Sequence, residues 1–156
     1  MKVQIAQQAP DFKLFNTNKK PVVLNELRGK NVVLLFFPLA FTSTCTAELC
    51  STRDDLSFYN TTNAEVFGIS IDSLFTLKKF KEELNLNFEL LSDFNKDASL
   101  AYDSLYESFV FDMKGVGKRS AFVIDKNGII QYAEVLEDAG KVPDFTAIKN
   151  CLTNLK

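Results

Sequence analysis

The sequence predicts an α/β fold in which a central mixed β-sheet is flanked by helices and extended by an N-terminal β-hairpin. Three observations carry this prediction. An uninterrupted apolar run, Val32 to Phe37, indicates a strand that is buried on both faces. Segments with helical spacing then alternate with short apolar strands. Near the end of the chain, Asn127-Gly128 separates two apolar segments, as in a hairpin turn.

The first part of the chain supplies a hairpin, the central strand and a helix. Segments 12–15 and 21–24 are separated by a polar turn and predict the N-terminal β-hairpin. The central strand follows and ends before Pro38. Beyond this proline the apolar spacing becomes helical, with Thr42 and Ser43 as candidate N-caps and Leu56 and Tyr59 on the same buried stripe.

The rest of the chain alternates helices with strands. Strands are predicted over 65–71 and 88–91, and a hairpin with a type I′ turn over 120–124 and 129–135. The apolar positions of the predicted helices are Leu74, Leu77, Phe80 and Leu84; Ala98, Ala101, Tyr102 and Leu105; and Phe145, Ile148, Leu152 and Leu155. Parallel strand–helix–strand units, followed by an antiparallel hairpin and a C-terminal helix, are the thioredoxin-like order.

Composition limits the classes of function. The 156 residues carry 18 Lys and Arg against 20 Asp and Glu, a net charge of -2, and predict one domain over residues 1–156. This balance offers no basic stripe for nucleic acid. The chain has no His, which excludes Ser/His/Asp and Cys/His catalysis, and its three Cys cannot complete a four-ligand zinc site. We therefore expect a nucleophile that is activated without imidazole.

Two features bear on location. Gln residues interrupt the N-terminus before any apolar run of signal-peptide length, and the longest apolar run is too short to cross a bilayer. An odd number of cysteines does not suit a disulfide framework, and free thiols are typical of a reducing compartment. We expect a cytoplasmic protein with no membrane partner.

Cys45 is the strongest candidate for chemistry. It falls in the first turn of the helix after the central strand, where unpaired backbone N–H groups and the helix dipole favour a thiolate over a thiol. Thr42, three residues earlier, brings a hydroxyl toward the sulfur. Free Cys is more often a packing residue, and Ser and Thr also cap helices for structural reasons. The polar surroundings of Cys45 favour the reactive interpretation.

Several segments resemble one enzyme family. Pro38, Thr42 and Cys45 form the Pro-x-x-x-Thr-x-x-Cys signature of peroxiredoxins. Glu48 stands at that family's acidic position, and Arg119 stands where the family places an active-site Arg. The further segments that resemble the family are 9–12, 27–34 and 91–93. The signature is similar to that of the alkyl hydroperoxide reductase E group, whereas Cys-x-x-x-x-Cys is more typical of bacterioferritin comigratory proteins.

The resemblance implies a thiol-dependent peroxidase with a thioredoxin-like fold. Such an enzyme reduces hydrogen peroxide and organic hydroperoxides through a peroxidatic Cys, here Cys45, which becomes a sulfenic acid. No metal, haem or flavin cofactor is implied. The implied partners are the peroxide and a thioredoxin- or glutaredoxin-like reductant, and a homodimer is one option for the assembly.

The chemistry suggests a part for each matched residue. The two peroxide oxygens need hydrogen-bond donors, which Thr42, the Cys45 N–H and Arg119 would supply. Glu48 is expected to accept from Arg119 and orient its guanidinium, because its charge alone would disfavour a thiolate. Pro38 is expected to shield the sulfur, although a strand end suits a proline equally. Arg119 also has the simpler interpretation of a solvated surface residue.

Cys50 is the candidate resolving thiol. On one intact helix, Cys45 and Cys50 are separated by roughly 7.5 Å of rise and about 140° of rotation, beyond the usual reach of a disulfide. Cys50 can therefore resolve Cys45 only if the first helical turn unwinds. The alternative is that Cys50 packs in the core and an external thiol resolves Cys45. Cys151, on the last helix, is expected to pack.

Two other classes of function stay open at this point. A thiol–disulfide oxidoreductase is weakened by the lack of Cys-x-x-Cys. A non-catalytic redox sensor or interaction module of the same fold would use oxidation of Cys45 to change partner binding.

Overall fold

The computed structural model describes residues 3–155, and seven of the strands in this range form one mixed sheet. The strands are β1 (Lys13–Asn16), β2 (Pro21–Val23), β3 (Asn31–Phe36), β4 (Ala64–Ser70), β5 (Glu89–Ser92), β6 (Leu105–Tyr106), β7 (Val116–Gly117), β8 (Ser120–Ile124) and β9 (Ile130–Val135). The helices are α1 (Ser43–Asp54), α2 (Leu56–Thr61), α3 (Leu74–Leu84), α4 (Asp97–Ala101) and α5 (Phe145–Asn154).

The large sheet has the order β2-β1-β5-β4-β3-β8-β9, with β3 in its interior. On one side β3 pairs in parallel with β4, which pairs in parallel with β5, and on the other side β3 pairs antiparallel with β8. The hairpin of β1 and β2 extends the sheet beyond β5, and β6 and β7 form a separate small ribbon. The predicted mixed sheet with flanking helices and an N-terminal hairpin is confirmed.

The central strand separates two hydrophobic cores, which explains its uninterrupted apolar sequence. Val33 and Leu35 face the core that α1, α3 and α5 cover. Val32, Leu34 and Phe36 face the opposite core, which α4 and the N-terminal segment cover. Because successive side chains of a strand point to opposite faces, burial of both faces leaves no position for a polar residue.

The topology brings two distant segments to one edge of the sheet. Strand β3 ends at Phe36, and the chain leaves this edge to begin α1 at Ser43. Strand β8 runs antiparallel to β3, with Ser120 opposite Phe36, so β8 enters the sheet at the edge where β3 leaves it. Arg119, which precedes β8, therefore arrives beside the start of α1.

The helix after the central strand is broken, which the apolar pattern did not predict. Asp55 (φ -101°, ψ 9°) separates α1 from α2, so Leu56 and Tyr59 lie on a second helix. The Asp55 carboxylate is 2.7 Å from Nζ of Lys149 on α5. The two residues are far apart in the chain, so no local sequence pattern predicts the break between the helices.

Two smaller expectations are wrong. Gly128 has a positive φ of 84° but Asn127 does not, whereas a type I′ turn needs positive φ at both central residues. Instead, Asp125 Oδ1 accepts hydrogen bonds from the N–H groups of Asn127 and Ile129, each at 2.9 Å, and shapes the turn. The predicted third helix is also shorter, because the chain turns at Asp103 (φ 52°) and places Leu105 in β6.

The described residues contain no helix whose length and apolarity would allow it to cross a bilayer. This observation concerns residues 3–155 alone, and the expected cytoplasmic location stays a prediction.

Gly68 of β4 lies at a close approach between strand and core. A Cβ at this position would lie 2.7 Å from Leu90 Cδ2 and 3.3 Å from Phe37 Cε1. We expect Gly68→Ala to lower the free energy of unfolding by about 1–3 kcal/mol, since both side chains must move to admit the methyl group. Urea titration measures this change. The half-buried Glu65, on the same strand, provides the control Glu65→Ala, and an equal loss in both variants would contradict the packing described.

Candidate active site

Cys45 is the third residue of α1 and is fully buried. The helix begins after Thr42, whose extended backbone (φ -102°, ψ 153°) makes it the N-cap residue, as expected. The first N–H groups of a helix have no acceptor within the helix and carry its positive dipole end. The Thr42 side chain makes no capping hydrogen bond to this helix, so Cys45 lies in a first turn whose backbone N–H groups that side chain leaves unpaired.

The segment between β3 and α1 is held by a carboxylate from the neighbouring strand. Asp72, which follows β4, accepts through Oδ2 from the Ala40 N–H at 2.8 Å and from the Ser70 hydroxyl at 2.7 Å. Phe41 in this segment has a positive φ of 67°. The start of α1 is thus anchored to the parallel pair of strands, which fixes the direction in which Cys45 enters the site.

Arg119 uses three nitrogen atoms of its guanidinium. Nη2 is 3.2 Å from the Cys45 sulfur, and Nη1 donates to Glu48 Oε1 at 2.7 Å. Nε donates to the carbonyl oxygen of Ala139 at 2.9 Å. Only 2% of the residue surface is exposed, so the surface interpretation of Arg119 is wrong. These contacts link α1, the start of β8 and the turn after β9 through one cation.

Glu48 lies one turn beyond Cys45 on α1, and its side chain is fully buried. Its Oε1 accepts from Arg119, while its Oε2 has no hydrogen-bond partner among the described residues. Burial raises the pKa of Glu48 to about 7 against the opposing effect of Arg119, and the nearby charge of Glu134 raises it further. Glu48 therefore changes protonation near neutral pH.

The guanidinium of Arg119 stays charged in these surroundings. Burial acts to lower its pKa, but Glu48 and the Cys45 sulfur outweigh this effect and raise the pKa of Arg119 above its usual value. One buried cation is therefore shared between two acidic groups. A buried charge is tolerated only when it is paired in this way.

A cleft of about 480 Å³ opens beside this cluster. Its lining residues are Pro38, Thr42, Ser43, Thr44, Tyr106, Ser108, Phe109, Val110, Arg119, Glu137, Asp138, Ala139 and Gly140. The Thr42 hydroxyl donates to the Leu39 carbonyl at 2.7 Å, which leaves the Thr42 oxygen free to accept a hydrogen bond. The cleft is thus lined by the first turn of α1, which contains Cys45, and by Arg119, whose guanidinium contacts the Cys45 sulfur.

Five of the residues that the sequence singled out are brought together: Pro38, Thr42, Cys45, Glu48 and Arg119. Cys50 is not part of this cluster. It is half-buried further along the same continuous helix, and helical geometry holds the two sulfurs apart.

The remaining cysteine and arginines lie elsewhere. The Cys151 sulfur is 3.7 Å from the carbonyl of Gln131, and burial raises the pKa of this thiol, as suits a packing residue. Arg28 donates to Asn25, and Arg53 donates to the carbonyl of Leu84. No group of three or more potential metal-ligating side chains occurs within residues 3–155.

Three contributors to the site carry no signal in the sequence. The Ala139 carbonyl meets Arg119 from a turn in which Asp138 Oδ1 accepts from the Gly140 N–H at 2.8 Å. Tyr106 and Phe109 line the cleft from the β6–β7 connection. The composition of Asp138-Ala139-Gly140 is that of any polar turn, so only the folded chain reveals what this turn contacts.

Comparisons with known proteins identify relatives over most of the chain. Residues 5–133 match the AhpC/TSA family. Alkyl hydroperoxide reductase E of Mycobacterium tuberculosis is 37% identical over 145 residues, which cover 91% of each chain. Peroxiredoxin Bcp of Bacillus subtilis is 38% identical over 130 residues, which cover 82% of each chain. Thioredoxin-dependent peroxide reductase, mitochondrial, of Drosophila melanogaster is 35% identical over 139 residues, 83% of this chain and 57% of its own length.

Solved structures superpose on nearly the whole of this chain. Peroxidoxin BcpB of Mycobacterium tuberculosis superposes with a TM-score of 0.85 at 25% identity, covering 98% of both chains. A peroxiredoxin-like protein of Aquifex aeolicus superposes with a TM-score of 0.89 and covers 100% of this chain and 90% of its own, but at 21% identity it shows the fold alone.

The variant Glu48→Gln tests whether the buried carboxyl of Glu48 changes protonation near neutral pH. The ordinary pKa of a glutamate is 4.5, and burial raises the pKa of folded Glu48 to about 7, so between these pH values the folded state binds more protons than the unfolded state. The stability that this proton contributes is fully present below pH 4.5 and is lost as the pH rises through about 7. We expect the stability of the wild type relative to Glu48→Gln to fall by about 1–3 kcal/mol across this window. Urea titrations of both proteins at each pH measure it, and a constant difference would contradict the buried titration.

Proposed function

Because this chain belongs to the AhpC/TSA family of peroxiredoxins, we propose that Cys45 is the sulfur that attacks the peroxide O–O bond. The chain is a thiol-dependent peroxidase, an oxidoreductase. The assignment of Cys45 rests on the 3.2 Å contact between its sulfur and Nη2 of Arg119. A guanidinium at this distance stabilises a thiolate, which is the nucleophilic form of Cys.

In the proposed reaction the thiolate attacks one oxygen of the peroxide. An S–O bond forms with an electron pair of sulfur as the O–O bond breaks, so Cys45 is oxidised to a sulfenic acid. The departing oxygen takes up a proton and leaves as water or as an alcohol. The site must therefore stabilise negative charge that moves from the sulfur to the departing oxygen.

The surrounding groups suit these demands. Arg119 would hold charge on the sulfur at the start and on the peroxide oxygens in the transition state. The sequence predicts Thr42 as a donor to the peroxide, but its hydroxyl hydrogen is engaged with the Leu39 carbonyl. The Thr42 oxygen would instead accept from the peroxide O–H, and the Cys45 N–H would donate to the peroxide. Glu48 would act as a positioning residue that aims the guanidinium of Arg119. The buried Pro38 would limit water at the sulfur.

Partners follow from the same chemistry. Peroxiredoxins act on peroxides and are restored by thioredoxin-type reductants, and one relative carries this dependence in its name. For this chain a thioredoxin- or glutaredoxin-like protein is the proposed reductant. The homodimer stays a prediction, to which the half-exposed ring of Phe41 beside the site would contribute.

Stopped-flow oxidation of the reduced protein tests the role of Cys45 and Arg119. We expect Cys45→Ser to abolish the reaction with hydrogen peroxide, since the nucleophile is removed. We expect Arg119→Lys to lower the second-order rate constant by about tenfold or more, because an ammonium cannot reproduce two directed contacts to sulfur and carboxylate. Cys151→Ser and Arg53→Lys are matched controls outside the site and should react as the wild type does.

Persistent reaction in Cys45→Ser would overturn the proposed function. A near-normal rate in a folded Arg119→Lys protein would instead remove Arg119 alone from the mechanism.

Cys50 is proposed to resolve the sulfenic acid on Cys45 in an intramolecular disulfide, with release of water. Because α1 is continuous from Ser43 to Asp54, the first turn must unwind before the two sulfurs can meet. Mass spectrometry after one equivalent of peroxide should show the two cysteine peptides linked with the loss of two hydrogen atoms. In Cys50→Ser the sulfenic acid should persist, and Cys151→Ser should behave as the wild type. A persistent sulfenic acid in the wild type would assign resolution to an external thiol.

A further inference from the structure

A single hydrogen bond ties the segment before α1 to the end of β4. Phe37 still pairs with this strand, since its N–H donates to the Ile69 carbonyl at 2.9 Å. Beyond it, the Ala40 N–H donates to Asp72 Oδ2 at 2.8 Å. Among the described residues, no other hydrogen bond joins segment 38–42 to the sheet or to the loops that follow its strands. The bond to Asp72 is therefore the polar attachment of this segment.

The segment that this bond holds is strained and partly open to solvent. Phe41 has a positive φ of 67°, a conformation that costs free energy for a residue other than glycine. Half of its surface is exposed, and its ring packs against Phe80 of α3 with centroids 5.0 Å apart. The Thr42 hydroxyl is bonded within the segment, to the Leu39 carbonyl. Loss of the bond to Asp72 would therefore let the segment relax from this conformation.

The Asp72 carboxylate is oriented in advance by two strands. Ser70, which is buried at the end of β4, donates its hydroxyl to the same Oδ2 atom at 2.7 Å and accepts from the Asp72 N–H at 3.2 Å. Ser92, the last residue of β5, donates its hydroxyl to the Asp72 carbonyl at 2.6 Å. A hydrogen bond from an N–H group to a carboxylate is about twice as strong as one between neutral groups. The Ala40 N–H therefore meets a strong acceptor whose position is fixed.

We propose that Asp72 is a positioning residue that holds the first turn of α1 in its ordered state, an inference that rests on the proposed function of Cys45. Segment 38–42 leads directly into this turn, so its attachment fixes the position of the sulfur beside Arg119. Attack on a peroxide requires the ordered turn, whereas displacement of water from the sulfenic acid by the Cys50 thiol requires the turn to unwind. The bond that Asp72 accepts therefore has opposite effects on the two steps.

A shift between the ordered and the unwound turn gives the size of both effects. When most molecules are ordered, loss of the bond lowers the ordered fraction only moderately but multiplies the small unwound fraction. A hydrogen bond to a charged group contributes enough free energy to change this equilibrium by about tenfold. Resolution should therefore gain more than attack loses. A substitution that merely damages the site would instead slow both steps.

The experiment follows both steps in Asp72→Ala. Reduced protein is mixed with hydrogen peroxide, quenched at intervals with dimedone and a thiol-alkylating reagent, and analysed by mass spectrometry for thiol, sulfenic acid and disulfide. We expect the second-order rate constant of attack to fall by roughly threefold and the first-order rate constant of disulfide formation to rise by roughly tenfold. Asp72→Asn keeps an oxygen that accepts from the Ala40 N–H, so both changes should be smaller.

Hydrogen exchange of the reduced protein gives a readout that needs no peroxide. The Thr46 N–H, which donates to the Thr42 carbonyl at 2.9 Å, should exchange roughly tenfold faster in Asp72→Ala, because this bond opens when the first turn unwinds. Asp11→Ala is the matched control: the exposed Asp11 also accepts from a backbone N–H, that of Asn25 at 2.9 Å, and does not line the cleft. It should change neither the two rate constants nor the exchange at Thr46.

Three results would overturn the role of Asp72: two rate constants that fall together, an unchanged exchange at Thr46, or equal changes in Asp11→Ala. If Asp72→Ala does not fold, Ser70→Ala decides in the same way, because it removes the hydroxyl that orients the carboxylate. If no intramolecular disulfide forms in the wild type, the exchange at Thr46 decides. A wild type in which Cys45 does not react with peroxide would instead refute the proposed function, so the two failures are distinguishable.

Discussion

The buried guanidinium of Arg119 is the interaction on which the site depends. It is the cation that contacts both the Cys45 sulfur and the Glu48 carboxylate, and neither acid has solvent to stabilise its charge. Attraction between buried charges is strong, but so is the cost of leaving one unpaired. The protonation of Glu48 therefore alters the electrostatic surroundings of the Cys45 sulfur, because the two groups share one positive charge.

The fold satisfies this constraint by topology. A parallel pair, β3 and β4, anchors the start of α1 through Asp72, and the antiparallel strand β8 returns Arg119 to the same edge. The segment before α1 and the side chain of Arg119 are thus both positioned by strands, while Cys45 lies at a helix end, where local opening costs least. In the proposed reaction this segment would be ordered for attack on a peroxide and would unwind for reaction with Cys50.

Much of this arrangement follows from local patterns. The burial of β3, the N-cap at Thr42 and the position of Cys45 in the first turn depend on residues that are adjacent in the chain. The expectations that proved wrong depend on distant contacts or on finer turn geometry. Asp55 ends α1 beside Lys149, and Asp125 shapes a turn in which Gly128 has a positive φ and Asn127 does not.

The sequence by itself determined the order of the elements, the exclusion of imidazole chemistry and the residue types at the site, because periodicity, capping and composition act over short stretches of chain. Only the tertiary structure decided that Arg119 is buried, that its Nε donates to the Ala139 carbonyl, and that Tyr106 and Phe109 line the cleft beside the first turn of α1. Arg119 meets Glu48 and Cys45 across 71 and 74 positions of sequence. Such contacts result from the packing of the whole sheet, and no local pattern of residues encodes them.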